Sequence, residues 1–140
     1  MVLLDTEPMT VLEREGPQAE VLQARLMHLP LDDIATTIIS YEEQTRGWLA
    51  YMARMDTETA RIRAYGFLKR HLEIYCRIAV IPYDEKAAAE FERLKQAKIR
   101  IGTMDLKIAA IALANDAILL TRNLSDFRKI PDLKAEDWSI

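Results

Sequence analysis

The chain has 140 residues, half of them hydrophobic and 29% charged, a balance that fits a soluble globular protein and excludes a disordered one. A chain of this length buries roughly two-thirds of its unfolded surface, so folding requires neither a disulfide nor a structural metal. The single cysteine, Cys76, excludes a disulfide framework and a Cys-rich zinc site. A net charge of −3 excludes a strongly basic nucleic-acid coat, so any nucleic acid the chain handles needs a local basic surface or a bridging cation.

In chain order, Val2-Leu3-Leu4 is a short apolar run that suits a buried strand ending at Asp5. Thr6-Glu7-Pro8 breaks it, and residues 9–15 are expected as a short helix. Gly16-Pro17 signals a turn, residues 18–28 have helical spacing, and Leu29-Pro30 stops that helix. The β-branched stretch from Asp33 to Ser40 reads as a second strand. Ser40 is a candidate N-cap, with Glu43 three residues on in the capping-box position, for a helix to about Arg54. A longer helix is expected from Asp56-Thr57 to about Tyr75.

Arg77 to Pro82 reads as a third strand, Asp84 to Ala97 as a helix, and Ile99 to Gly102 as a connector. Thr103 is placed to cap a helix from Met104 to Ala114. Ala117 to Thr121 is a fourth strand, Asn123 to Phe127 a loop or single turn, and Leu133 to Trp138 a fifth, edge strand. The amino terminus has no basic region followed by an apolar core, and the longest apolar stretch, Ile108 to Ala114, is too short for a bilayer. The expectation is one cytoplasmic domain over residues 1–140, with no membrane contact.

Strands alternating with helices imply a parallel sheet covered on both faces. In such sheets the functional crevice lies beyond the carboxyl ends of the strands. Asp5 ends the first strand, Glu42 and Glu43 follow the second, and Asn123 and Asp126 follow the fourth. Asp105 lies in the first turn of the helix leading to the fourth strand. If the first, second and fourth strands are neighbours, these oxygen-bearing groups converge. Clustered carboxylates need a compensating cation or raised pKa values. Oxygen donors without His or Cys favour Mg²⁺ or Mn²⁺, and the simplest chemistry for such a site is phosphodiester hydrolysis.

Each residue also has a plainer role open to it. Asp5 is placed to form a turn or cap a helix, Glu43 to complete a capping box, and Asp105 to favour the helix dipole. Asn123 and Asp126 are ordinary loop residues in isolation. Their joint placement at strand ends argues for a site.

At these residues the chain resembles the PIN-domain nucleases, specifically the VapC-like ribonuclease toxins of bacterial toxin–antitoxin pairs. Leu3-Leu4-Asp5-Thr6 is similar to the family's opening. Ile38 to Gly47 is similar to its second motif, in which a Glu precedes a Gly by four positions, selecting Glu43 over Glu42. Ile101 to Ala110 resembles the third motif, carried by Asp105, and Leu120 to Phe127 the fourth, followed by Pro-x-Leu and a terminal Glu-Asp-Trp.

The resemblance implies a three-layer α/β/α sandwich around a mainly parallel four- to five-stranded sheet. It implies Mg²⁺- or Mn²⁺-dependent RNA cleavage, a homodimer and an antitoxin partner. Asp5, Glu43, Asp105 and Asp126 are the catalytic candidates, joined by Asn123 as candidate metal ligands. Asn123 departs from the Asp common in the wider family, which leaves open whether Asn123 or Asp126 completes the site. Thr6, Thr103, Arg46 and Lys107 are candidates to touch substrate.

The alternatives are a non-catalytic interaction module with a degraded metal site and an aspartyl-phosphate enzyme using Asp5-Thr6. The latter lacks the Asp-x-Asp-x-Thr arrangement, because positions 7 and 9 are Glu and Met.

Among lesser signals, Arg61, Arg63, Lys69, Arg70 and His71 read as a solvated helix face or an RNA-backbone contact. His28 and His71 have no second histidine at a ligand spacing, and Cys76 reads as a small buried hydrophobe. Trp48, Tyr51, Tyr65 and Phe67, with Met52 and Met55, are expected either to fill the core or to line an apolar groove for an antitoxin segment or a second copy.

Overall fold

The computed structural model describes residues 1–140. Five short strands, β1 (Val2–Leu4), β2 (Ile34–Thr37), β3 (Ala79–Ile81), β4 (Ile118–Leu120) and β5 (Lys134–Glu136), form one sheet in the order β3-β2-β1-β4-β5. Every pairing is parallel. Leu4 lies level with Thr36 on one side and Leu120 on the other, so β1, β2 and β4 end together. The chain moves outward from β1 through β2 to β3, then returns to β4 on the other side of β1. That reversal puts a crevice at the carboxyl ends of β1 and β4.

Helices cover both faces, as a parallel sheet requires. Side chains alternate across a strand, so Leu3 and Leu119 face one layer while Val2, Leu4 and Leu120 face the other. The first layer contains α5 (Glu85–Gln96), α6 (Thr103–Ala114) and α7 (Leu124–Phe127), with Leu94, Ile108, Ile111 and Phe127 fully buried. Helix α6 is apolar around most of its circumference because α5 covers the side turned from the sheet. The second layer contains α1 (Thr6–Arg14), α2 (Pro17–Leu26) and the end of α4 (Glu58–Cys76), contributing Met9, Leu22 and Tyr75. Helix α3 (Ile38–Ala53) packs on α4 and also meets α1 and α6 at the sheet edge. Each fully buried Leu contributes roughly 1.5–3 kcal/mol. No helix is long and apolar enough to cross a membrane.

The structure moves three boundaries in ways that bear on the site. The first helix starts at Thr6, not at residue 9, because the Asp5 carboxylate accepts from the Thr6 amide and Pro8 falls in the first turn, where its missing N–H breaks no helical bond. The second strand ends at Thr37, so Ile38, Ile39 and Ser40 are helical. The N-cap of α3 is Thr37, whose hydroxyl accepts from the Ser40 amide at 3.1 Å. Glu43 therefore lies beyond the first turn and has no capping role. Helix α6 starts at Thr103 with Gly102 as its N-cap, so Thr103 does not cap it, while residues 124–127 form the single turn that was one of the two expectations.

Two smaller expectations also change. Cys76, expected to be buried, is exposed at the end of α4. His71 leaves the basic face on which the sequence placed it. It is 2% exposed, stacks on Tyr41 at 5.3 Å, and lies 2.8 Å from the Thr45 hydroxyl and 3.4 Å from Glu13.

Candidate active site

Four segments bring their polar ends to one place. Asp5 leaves β1, Glu43 projects from α3, Asp105 from the first turn of α6, and Asn123 follows β4. Together with Thr6, Glu7, Thr10, Arg14 and Arg122 they line a pocket of about 550 Å³ without a hydrophobic residue.

Asp5 is the most enclosed, at 5% exposure. Its Oδ1 accepts from the Thr6 amide at 2.8 Å and its Oδ2 from the Thr121 hydroxyl at 2.8 Å. The Thr6 hydroxyl donates to Glu43 Oε1 at 2.8 Å and lies 3.1 Å from the Ser40 hydroxyl. Thr6 thus ties the start of α1 to α3. A second tie lies behind it. The Tyr75 hydroxyl donates to Gln44 Oε1, Gln44 Nε2 donates to the Thr10 hydroxyl at 2.9 Å, and Thr10 donates to the Thr6 carbonyl at 3.1 Å.

The electrostatics follow from this crowding. Burial pushes the Asp5 carboxyl up to about 6, against the lowering effect of its two hydrogen bonds, and the charges of Asp105 and Glu43 push the same way. Burial likewise raises Glu43, with Asp105 and Glu42 adding to it. Asp105 is raised by burial and by Asp126, and the Asn123 amide opposes that shift.

Three nearby cations pair with other acids. Arg46 pairs with Glu42, Arg122 with Glu7 at 3.2 Å, and Lys129 with Asp126 at 3.2 Å. Three carboxylates whose pKa values are all raised, chiefly by burial, that supply only oxygen and lack a Lys or Arg partner fit a hard divalent cation. No three Asp, Glu, His or Cys side chains are drawn into a ready-made metal cage. Each Asp5 oxygen accepts one Thr hydrogen bond and keeps a second lone pair.

The structure brings Asp5, Thr6, Glu43, Asp105 and Asn123 to the pocket. Asp126 stands outside its lining, accepting from Asn123 Nδ2 at 3.0 Å and pairing with Lys129. The Asn123 and Lys129 hydrogen bonds hold the Asp126 carboxyl below the usual range. Asn123 turns its amide nitrogen, rather than its oxygen, towards that carboxylate. Thr103, Arg46 and Lys107 do not line the pocket. The Lys107 ammonium lies over the Tyr83 and Phe91 rings, 5.8 Å from each centroid.

Arg14, Arg122 and Thr121 were missed by the sequence reading. Thr121 and Arg122 follow β4 directly and obey the same strand-end rule as Asn123. Arg14, at the far end of α1, carries no such signal.

The fold is shared with known proteins along nearly the whole chain. A relative from Haemophilus influenzae strain R2866, ribonuclease VapC1, is 29% identical over 142 residues, spanning 98% of this chain and 97% of its own length. The structure of VapBC-1 from nontypeable Haemophilus influenzae superposes with a TM-score of 0.71 at 26% identity, over 100% of both chains. That of FitAcB from Neisseria gonorrhoeae gives 0.71 at 26% identity, over 98% of this chain and 97% of the other. The family model described as PIN domain matches residues 2–133, and the chain belongs to the PIN-domain family.

Proposed function

We propose that this chain is a divalent-metal-dependent endoribonuclease, acting in the cytoplasm as the toxin of a toxin–antitoxin pair. One observation carries the catalytic part. Asp5, Glu43 and Asp105, far apart in sequence, line one polar pocket at the switch point of the sheet without a cationic partner. Full-length similarity to a VapC ribonuclease supports RNA as the substrate and an antitoxin as the partner.

In this reading Asp5, Glu43 and Asp105 hold Mg²⁺ or Mn²⁺. When bound, such a cation neutralises charge at the phosphodiester and acidifies water for attack. The chain's own groups do the rest. Asp5 is fixed by Thr6 and Thr121. Glu43 keeps Oε2 free of protein hydrogen bonds, and that oxygen accepts the proton of the attacking water. Arg122 and Arg14 reach the phosphate from the pocket rim. The water oxygen forms the new P–O bond as the bridging P–O bond breaks, and the leaving sugar oxygen, which takes that electron pair, picks up a proton from solvent. Asp126 acts through Asn123 as a positioning residue. A homodimer is part of the same reading, supported by an exposed apolar stripe on α4, Ile62, Tyr65 and Leu72.

The test is cleavage of single-stranded RNA with Mn²⁺ and with EDTA. Cleavage should require the metal and vanish in Asp105→Asn. A chain that binds no Mn²⁺ and cuts no RNA would instead be an interaction module, a reading favoured by the uncharged Asn123 and the spread carboxylates.

A further inference from the structure

Beside the carboxylate pocket lies a second groove, of about 600 Å³, between α1, α3 and α4. The two share Thr10 and Arg14 in their linings, so they adjoin. Its aromatic wall is built. Trp48 stacks on Phe67 with centroids 5.3 Å apart and planes 26° apart, and Tyr51 meets both rings edge-on at 5.9 and 6.1 Å. Arg14, Arg54 and Arg70 surround that wall. The one acid in the lining, Glu13, is buried against His71. Arg70 lies 3.5 Å from Glu15, while Arg14 and Arg54 have no ion-pair partner.

Gly47 lines the groove on the α3 side. It lies one turn after Glu43, on the same side of α3. A Cβ built there would meet nothing within 4 Å. A glycine inside a helix costs up to about 1 kcal/mol relative to alanine, and no packing here demands one. Its lack of a side chain leaves open space one turn from Glu43.

An aromatic face ringed by arginines and joined to a phosphodiester-cleaving site matches single-stranded RNA, whose bases stack and whose phosphates carry charge. We propose that this groove is a nucleotide subsite. A base flanking the scissile bond stacks at Trp48, Arg14 and Arg54 hold adjacent phosphates, and the strand crosses Gly47 to reach them. The proposal rests on the ribonuclease reading and adds the path of the substrate.

Trp48 and Trp138 are the only tryptophans, so in Trp138→Phe the emission reports Trp48 alone. The probe is a mixed-sequence single-stranded RNA of about twelve nucleotides, titrated into the full chain with EDTA to prevent cleavage. The strand should quench Trp48. Trp48→Leu should weaken binding roughly ten-fold, Trp48→Phe much less, and Arg54→Gln should reduce the salt slope by about 0.7. Gly47→Gln fills that open space without deleting packing and should also weaken binding, so the assignment survives any folding defect in Trp48→Leu.

Unchanged affinity in Trp48→Leu and Gly47→Gln, with wild type still binding and cutting RNA, overturns the subsite and leaves the ribonuclease reading standing. Quenching by an acidic peptide but not by RNA also overturns it, in favour of a protein-docking groove. Failure of wild type to bind or cut any RNA with Mn²⁺ defeats both.

Discussion

Asp5 concentrates the chemistry of the site in one carboxyl group. Both of its oxygens already accept hydrogen bonds, yet burial holds its pKa near 6. In the metal-free chain this has a definite sign. Below about pH 4 Asp5 is protonated in both folded and unfolded states and contributes nothing. As pH rises to about 6 the unfolded chain ionises first, so stability falls, by on the order of 3 kcal/mol once the folded group is ionised. Asn at this position can still accept from the Thr6 amide and can donate to Thr121. Asp5→Asn should therefore raise the metal-free melting temperature near neutral pH, flatten its decline between pH 4 and 6, and abolish cleavage. A lower melting temperature at neutral pH would show that the ionised carboxylate stabilises the fold.

Asp126 is expected to behave differently. It touches the pocket only through Asn123 and is held at the surface by Lys129. Asp126→Ala should reduce kcat by about ten-fold, roughly one lost orienting hydrogen bond, where Asp105→Asn removes activity. Equal loss in both, measured as kcat on one RNA, would make Asp126 a direct participant. Asp5 and Asp105 were legible in the sequence because a strand end and the first turn of α6 fix where their short side chains go, whereas Glu43, beyond the first turn of α3, was selected over Glu42 by its spacing to Gly47. Arg46 and Lys107 were not, because long side chains follow tertiary neighbours. Glu42 captures one and the Tyr83 and Phe91 rings attract the other.

Among the elements, α3 shows how a shift of three residues changes a functional assignment. Ser40 and Glu43 have capping-box spacing, and Ile38-Ile39 has strand composition. The backbone nevertheless turns helical at Ile38 because Thr37 caps there, its hydroxyl fully buried against Ser40. β-Propensity lost to a cap and to packing of Ile39 in the core. Freed from capping, Glu43 can serve the pocket. The start of α1 was misplaced for a related reason, since Pro8 reads as a breaker but is tolerated in a first turn.

Gly66, one turn after Ile62, lies beside the α4 stripe proposed to meet a second copy, and tests whether that copy packs directly on it. The glycine sits inside the helix, and an added Cβ would meet nothing within 4 Å. Gly66→Ala should stabilise the chain by roughly 0.5–1 kcal/mol in urea denaturation. Destabilisation would mean that this face of α4 is packed against something in solution.

For the whole molecule, alternating elements revealed the parallel sheet, but the strand order had to come from three dimensions. Only β2-β1-β4 adjacency unites Asp5, Glu43 and Asn123, and the sequence carries no local record of which strand lies beside β1. The aromatic groove was one of two expectations for Trp48, Tyr51 and Phe67, but the arginines around it were hidden, since Arg14, Arg54 and Arg70 come from separate segments that meet only on folding. Calorimetric titration of Mn²⁺ near neutral pH, into the full chain and into Asp5→Asn and Asp105→Asn variants of checked fold, tests most directly whether these carboxylates form one cation site. The wild-type chain should bind the ion and each variant should lose that binding together with RNA cleavage. Equal binding by all three, or full-rate cleavage by wild type in EDTA, would contradict it.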